Sequence, residues 1–200
     1  MATRIQRPIM IAAALLALAA VALCWAVVAR GSAGPAIAGD FSEDRIDMPD
    51  ITLTDHHGAL RPLRGELTAG RLVVVNFNYT TCESICPIGN DIMAMLDNDP
   101  DLAAAPEVRL LSITIDPAQD TPALLNRVAE SFAASDRWVW LTGDPNDIDR
   151  LLDSVGASFA DITLHDPIFL IGDVQTGRFY RSLTLPGAAE LQDLTRRLAG

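Results

Sequence analysis

Two hundred residues, half of them hydrophobic, are enough for one domain with its own packed core even when an apolar N-terminal run is set aside. The formal net charge is −11, and from Asp40 onward 12 arginines stand against 26 acidic residues, a balance of −14. A surface of that sign repels nucleic acid and anionic lipid headgroups while favouring cations and basic partner faces, so no nucleic-acid partner is expected.

Residues 1–8 carry Arg4 and Arg7 and read as a short cytoplasmic N-terminus. From Ile9 to Ala29 there are 21 residues without a charge, against the roughly 20 a helix needs to cross hydrocarbon. A cleaved signal peptide is the competing reading, because Ala36-Ile37-Ala38 forms an A-x-A pattern, but its apolar region would normally be only about 7–15 residues long. Two arginines before the span and only Arg30 just after it orient the chain. The expectation is a single-pass inner-membrane protein with its C-terminal domain in the periplasm. Cys24 has Leu23 before it, where lipid attachment wants a small residue, and reads as an ordinary apolar residue of the span. Residues 30–40, rich in Gly, Ala and Pro, form a linker, and 41–200 form the domain.

The domain opens with short extended segments around Ile51-Thr52-Leu53 and Leu60 to Leu63, joined by Asp55-His56-His57-Gly58 as a hairpin turn. Leu72 to Phe77 is a β-branched run bounded by turn residues, as a buried central strand is. A helix follows over Ile88 to Leu96, then a second buried strand over Val108 to Ile115. Thr121-Pro122 reads as an N-cap with proline at the first helical position, opening a helix with Leu124, Leu125, Val128 and Phe132 on one face. Trp138 to Leu141 is a short strand. Asp144-Pro145 repeats the capping device, with Ile148, Leu151, Leu152 and Val155 as the apolar stripe and Gly156 as the stop. Ile168 to Ile171 and Arg178 to Leu183 form a hairpin across Asp173 to Gly177, and a last helix spans about Ala188 to Leu198. Strands alternating with helices indicate a layered α/β domain, and the closing hairpin plus helix indicates a thioredoxin-like fold with an N-terminal β-hairpin extension.

Cys82 and Cys86 lie just beyond the C-terminal end of the first buried strand, an edge where open α/β sheets build their sites. Four residues apart, their sulfurs can converge outside a helix N-terminus, whose dipole favours thiolate, the form that attacks disulfides or binds metal. A purely structural disulfide is the plainer reading in an oxidising compartment, but so small a loop would gain little stabilisation from one. His165 is the third candidate; its spacing of 79 residues from Cys86 does not prove that it meets the thiols. Two thiolates and an imidazole would suit a soft ion such as Cu(I) or zinc. His56 and His57 read as solvated turn residues. Met93 and Met95, two apart on a helix, cannot converge on one ion and read as core packing.

Four elements in consistent order then resemble the Sco/SenC copper chaperones of cytochrome oxidase assembly. Tyr79-Thr80-Thr81-Cys82-Glu83-Ser84-Ile85-Cys86-Pro87 is similar to their Y-T-x-C-x-x-x-C-P element, and Ser112 to Pro122 to their S-x-x-x-D-P-x-x-D-T-P segment. Leu141-Thr142-Gly143 resembles their L-T-G, and His165 stands eight residues before Asp173, where the family has its copper-ligating histidine. The resemblance implies a thioredoxin-like domain holding copper, as Cu(I), Cu(II) or both, through Cys82, Cys86 and His165. It also implies delivery to the CuA site in the copper-accepting subunit of a respiratory haem-copper oxidase, with a copper donor protein upstream. This chain departs from the family pattern in Glu83-Ser84, where Pro-Asp is common, and in Asp166-Pro167, where Ser or Thr commonly follows the histidine.

A different class of function is a periplasmic thiol-disulfide oxidoreductase in which Cys82 and Cys86 cycle to keep an oxidase's metal-site cysteines reduced, and His165 is dispensable. A peroxiredoxin-like peroxidase would want Thr or Ser three positions before its nucleophile, where this chain has Tyr79. The first two functions are compatible, because copper binding needs reduced sulfurs and the same pair can be oxidised.

Overall fold

A computed structural model describes residues 40–159 and 161–200. The expected span 9–29 and most of the linker lie outside these residues; among the described ones, no helix is long and apolar enough to cross a membrane. Eight strands build one mixed sheet: Phe41–Arg45 (β1), Thr52–Asp55 (β2), Leu60–Pro62 (β3), Leu72–Asn78 (β4), Val108–Thr114 (β5), Trp138–Thr142 (β6), Phe169–Asp173 (β7) and Arg178–Ser182 (β8). Their order across the sheet is β1-β8-β7-β4-β5-β6-β2-β3. Helices Ile85–Asp97 (α1), Pro100–Ala103 (α2), Pro122–Ser131 (α3), Pro145–Ser154 (α4) and Ala188–Ala199 (α5), with a 3-10 turn at Ile162–Leu164, complete the domain.

The central strand β4 is covered on both faces, which is why six of its seven residues are buried and its sequence opens on an apolar run, Leu72 to Val75, with the buried Asn76 and Asn78 both bonded to Asn90. Cross-strand partners share a face, so the register Val74↔Leu110↔Trp138 and Asn76↔Ser112↔Trp140 defines one side of the sheet. That side packs against α1, reached through Asn90, and against Phe132 at the end of α3, whose ring stacks on Trp140 at 6.2 Å. On the other side Val75, Phe77, Leu111, Ile113 and Leu141 pack on Ile148, Leu151, Leu152 and Val155 of the α4 segment. Asp144 caps α4 by accepting the Asn146 N–H, worth about 1 kcal/mol for such a cap, and Gly156 ends it at φ +59°.

The 52–62 hairpin forms as expected and docks on β6 at the sheet edge. Several details differ from the sequence reading. The strand β1 was not anticipated: its sequence FSEDR buries only Phe41, and its order comes from pairing with β8 and from the Glu43–Arg178 and Asp44–Arg181 ion pairs. The first long helix begins at Ile85 rather than Ile88, since Pro87 falls in its first turn, where a missing N–H costs nothing. Phe132 caps α3 instead of continuing its stripe. His56 is not a solvated turn residue: it is half-buried, its Nδ1 accepts the Trp140 N–H at 3.3 Å and its own N–H donates to the Trp140 carbonyl. Of the two methionines Met93 is core, as expected, whereas Met95 is 54% exposed on the opposite side of α1.

Candidate functional site

Parallel strands β4, β5 and β6 end at one edge of the sheet, which therefore holds the loop with Cys82, the loop with Asp116 to Asp120, and Gly143-Asp144. Strand β7 runs antiparallel to β4, with Phe169 opposite Asn76, so it starts at this same edge. His165, four residues before β7, is delivered there, which is how a histidine 79 residues away in sequence meets the thiols. Cys86 Sγ lies 3.7 Å from His165 Nε2.

Cys82 sits in the turn Tyr79–Cys82, closed by its N–H donating to the Tyr79 carbonyl at 3.2 Å. Cys86 is the second residue of α1, and its backbone N–H points at Cys82 Sγ across 3.4 Å. Both cysteines are buried, at 8% and 5% exposure, and both are free thiols. Burial pushes the Cys82 thiol up, but hydrogen bonds from the Cys86 side chain, the Cys86 and Ser84 backbone and the Ser84 hydroxyl outweigh it and bring the value down to about 7. Cys86 goes the other way: burial, and then the neighbouring Cys82 sulfur, push it up to about 12. Near neutrality Cys82 is therefore partly thiolate while Cys86 stays a thiol, with the reactive sulfur on the residue outside the helix.

Ser84 explains part of this. Its hydroxyl stands 3.7 Å from Cys82 Sγ. A carboxylate at that position would set like charge beside the thiolate; the serine of this chain supplies a neutral hydrogen bond instead. Asp166, the other departure from the family pattern, is exposed and lines a cavity of about 470 Å³ together with His165, Phe159 and Arg181.

The imidazole of His165 is held on three sides. Its Nδ1 lies 2.9 Å from the Ile162 carbonyl, which only accepts, so in the neutral ring Nδ1 carries the proton and Nε2 offers its lone pair toward Cys86. Tyr79 meets the ring edge-on at 5.5 Å and Phe159 at 6.2 Å. The Tyr79 phenol is itself held above its usual value by burial and by hydrogen bonding to the Cys82 sulfur. Among the described residues, no three His, Cys, Asp or Glu side chains already stand at a spacing that could hold a metal ion: Cys86 faces His165, while Cys82 is engaged by the Cys86 amide and Ser84. His56 and His57 sit on the β2–β3 turn, His56 bonded to Trp140 of β6 and the His57 N–H to the Asp55 carboxylate, and take no part.

Sequence reasoning named Cys82, Cys86 and His165, and the fold brings these residues together. It assigned no role to Ser84, to Ile162 or to Asp120, whose buried carboxylate accepts from Thr80 and Thr114. Asp120 stands inside the quoted S-x-x-x-D-P-x-x-D-T-P segment, but nothing local signals a partner 40 residues upstream.

A mixed sheet with helices on both faces and a C-x3-C pair at the strand-to-helix junction define a thioredoxin-like domain. The family model described as SCO1/SenC matches residues 42–167, more than half of the chain, and the protein belongs to that family. A relative, the mitochondrial SCO2 homolog of Danio rerio, is 35% identical over 103 residues, 50% of this chain and 34% of that protein. The chain spans between about a third and 60% of the length of the first curated relatives it matches. Among solved structures, a SCO1/SenC family lipoprotein of Bacillus anthracis str. Ames superposes with a TM-score of 0.68 at 22% identity, covering 80% of this chain and 98% of that one. Arabidopsis thaliana ScoI with copper bound superposes with a TM-score of 0.60 at 18% identity, covering 76% and 96%. At these identities the likeness is one of fold.

Proposed function

We propose that this protein is a copper metallochaperone that holds copper as cargo through Cys82, Cys86 and His165 and passes it to the CuA site of a respiratory haem-copper oxidase. The observation that carries the reading is the direction of the His165 lone pair. The Ile162 carbonyl fixes the tautomer, and Nε2 stands 3.7 Å from Cys86 Sγ. A trigonal ion about 2.3 Å from sulfur and about 2.0 Å from nitrogen, distances typical of zinc, would span close to that separation. Two sulfurs and one imidazole nitrogen form a soft donor set suited to Cu(I). Membership of the SCO1/SenC family and the copper bound in the Arabidopsis structure support the same cargo.

Capture needs both sulfurs reduced, with loss of the Cys86 proton as metal replaces it. Release is assisted by the hydrogen bonds that Cys82 Sγ makes in the metal-free site, to the Cys86 amide and the Ser84 hydroxyl. Residues 9–29 serve as a membrane anchor in this reading, with the domain on the periplasmic side facing an acceptor subunit and a copper donor. The unequal thiols, about 7 and about 12, also suit a thiol-disulfide oxidoreductase that keeps oxidase cysteines reduced. Such a reductase has no use for an oriented imidazole.

Cells carrying His165→Ala separate the two. Under copper delivery they assemble little active oxidase while the variant keeps a reducible Cys82–Cys86 disulfide. Normal oxidase activity in these cells would defeat copper delivery and favour the reductase.

A further inference from the structure

Asp120 is 1% exposed, and its carboxylate accepts the Thr80 N–H at 3.1 Å, the Thr80 hydroxyl and the Thr114 hydroxyl. A buried carboxylate is costly unless it is hydrogen-bonded in this way. Two of the three donors belong to Thr80, the second residue of the Tyr79–Cys82 turn, and the third to the last residue of β5. Asp120 itself stands on a fixed base. Its N–H donates to the Asp116 carbonyl at 2.9 Å, and the next residue, Thr121, caps α3 by accepting from the Leu124 N–H. The carboxylate thus ties the turn that presents Cys82 to the end of β5 and the start of α3. The Cys86 side has its own anchor, since Asn90, one turn further along α1, accepts from Asn76 and Asn78 of β4 at 3.1 Å each.

We propose that Asp120 is a positioning residue for Cys82: through Thr80 it fixes where the first sulfur stands relative to Cys86, and so sets both the copper affinity and the dithiol–disulfide balance of the pair. The copper arm of this inference rests on the proposed function; the disulfide arm does not. Outer partners that orient a ligand typically contribute about 10–100-fold to metal affinity. Asp120 acts at one remove more, through a turn, and its effect falls at the lower end of that range.

The test compares the full chain in detergent as wild type, Asp120→Ala, Asp120→Asn and Thr80→Val, with Arg137→Met as control. Arg137 bonds the Asp97 carboxylate at 2.9 Å at the opposite edge of the sheet, away from the thiols. Three quantities are read: Cu(I) affinity by competition with a chromogenic chelator, the thermal midpoint, and the equilibrium with glutathione. In that equilibrium the two thiols give two electrons and two protons to one oxidised glutathione, forming the Cys82–Cys86 disulfide and two reduced glutathiones. Asp120→Ala and Thr80→Val are expected to weaken copper about tenfold and to shift the glutathione equilibrium several-fold, as expected for loss of an outer-sphere orienting group. Asp120→Asn, whose side-chain oxygen still accepts the Thr80 N–H, recovers most of both. Arg137→Met lowers the thermal midpoint and moves neither.

Wild-type affinity and equilibrium in Asp120→Ala and Thr80→Val would overturn the proposal, as would an equal shift in Arg137→Met. If Asp120→Ala does not fold, Thr80→Val decides alone, because it removes one donor and leaves the carboxylate in place. If the wild type binds no copper, the proposed function fails, and the glutathione equilibrium still decides for or against Asp120.

Discussion

Replacing Ser84 by alanine tests the electrostatics of the thiol pair directly. Ser84 Oγ, 3.7 Å from Cys82 Sγ, is one of several groups that hold the Cys82 thiol at about 7. Loss of a hydrogen bond contributing about 1 kcal/mol corresponds to about 0.7 of a pKa unit at 1.36 kcal/mol per unit. Raising the thiol from about 7 to roughly 7.7 lowers its ionised fraction at pH 7 from about one half to about one sixth, so alkylation slows about threefold. At pH 9 and above both forms are nearly fully ionised, and the difference disappears. The assay is the rate of iodoacetamide alkylation against pH, with modified cysteines mapped by mass spectrometry. Cys86, pushed up to about 12, stays unmodified over this range and does not interfere. The reasoning is refuted if wild-type Cys82 reacts with a midpoint near that of an ordinary thiol, if both cysteines react equally, or if Ser84→Ala leaves the profile unchanged.

Two further outcomes concern the frame around the site. Asp55 is 1% exposed and accepts from the His57 and Ala59 N–H groups and from Arg61 Nε at 2.7 Å, bonds that outweigh burial and hold its carboxyl below the usual value. A depressed folded-state value stabilises the protein above the unfolded carboxyl range and loses that contribution as pH falls through the folded value, so Asp55→Ala should lower the thermal midpoint at pH 7 while the gap to wild type narrows at strongly acid pH; a gap independent of pH contradicts this. Gly172 in β7 has no room for a side chain, since an added Cβ would lie 2.1 Å from the Arg178 carbonyl and 2.7 Å from Phe179 Cα. Gly172→Ala should therefore cost more than about 3 kcal/mol in denaturant unfolding, in the range of severe core changes, and a loss under about 1 kcal/mol would show that the β7–β8 pairing yields easily.

What could be read from sequence follows from how local each signal is. The strands β4, β5 and β6 are marked by short apolar runs, because strands of a sheet covered on both faces are predominantly apolar. The helices α3 and α4 were marked by Thr-Pro and Asp-Pro caps, and both caps are made by the side chains named. The same Asp-Pro signal at Asp99-Pro100 opens α2, a helix too short to show an apolar period. The edge strand β1 has no such mark, because its order depends on a partner strand more than 130 residues away. The spacing of the two cysteines shows that they meet at the start of α1, and the structure has the Cys86 N–H 3.4 Å from Cys82 Sγ. The histidine stands out in the sequence as a candidate, but its meeting with Cys86 is implied only by resemblance to a family, since what brings it there is the antiparallel direction of β7. The inequality of the two thiols depends on Ser84, Tyr79 and the first turn of α1, and the Asp120–Thr80 tie depends on two loops meeting at one sheet edge. None of these is visible along the chain.

The central claim, that Cys82, Cys86 and His165 act together on copper, is tested most directly by Cu(I) competition titration of the reduced full chain at pH 7, wild type against His165→Ala. The account predicts one copper per wild-type chain, and for His165→Ala a loss of affinity exceeding the about 10–100-fold that removal of an outer-sphere partner costs, with the disulfide still formed and reduced normally. Unchanged stoichiometry and affinity in His165→Ala would contradict it, leaving a dithiol whose neighbouring imidazole has no part in holding the metal.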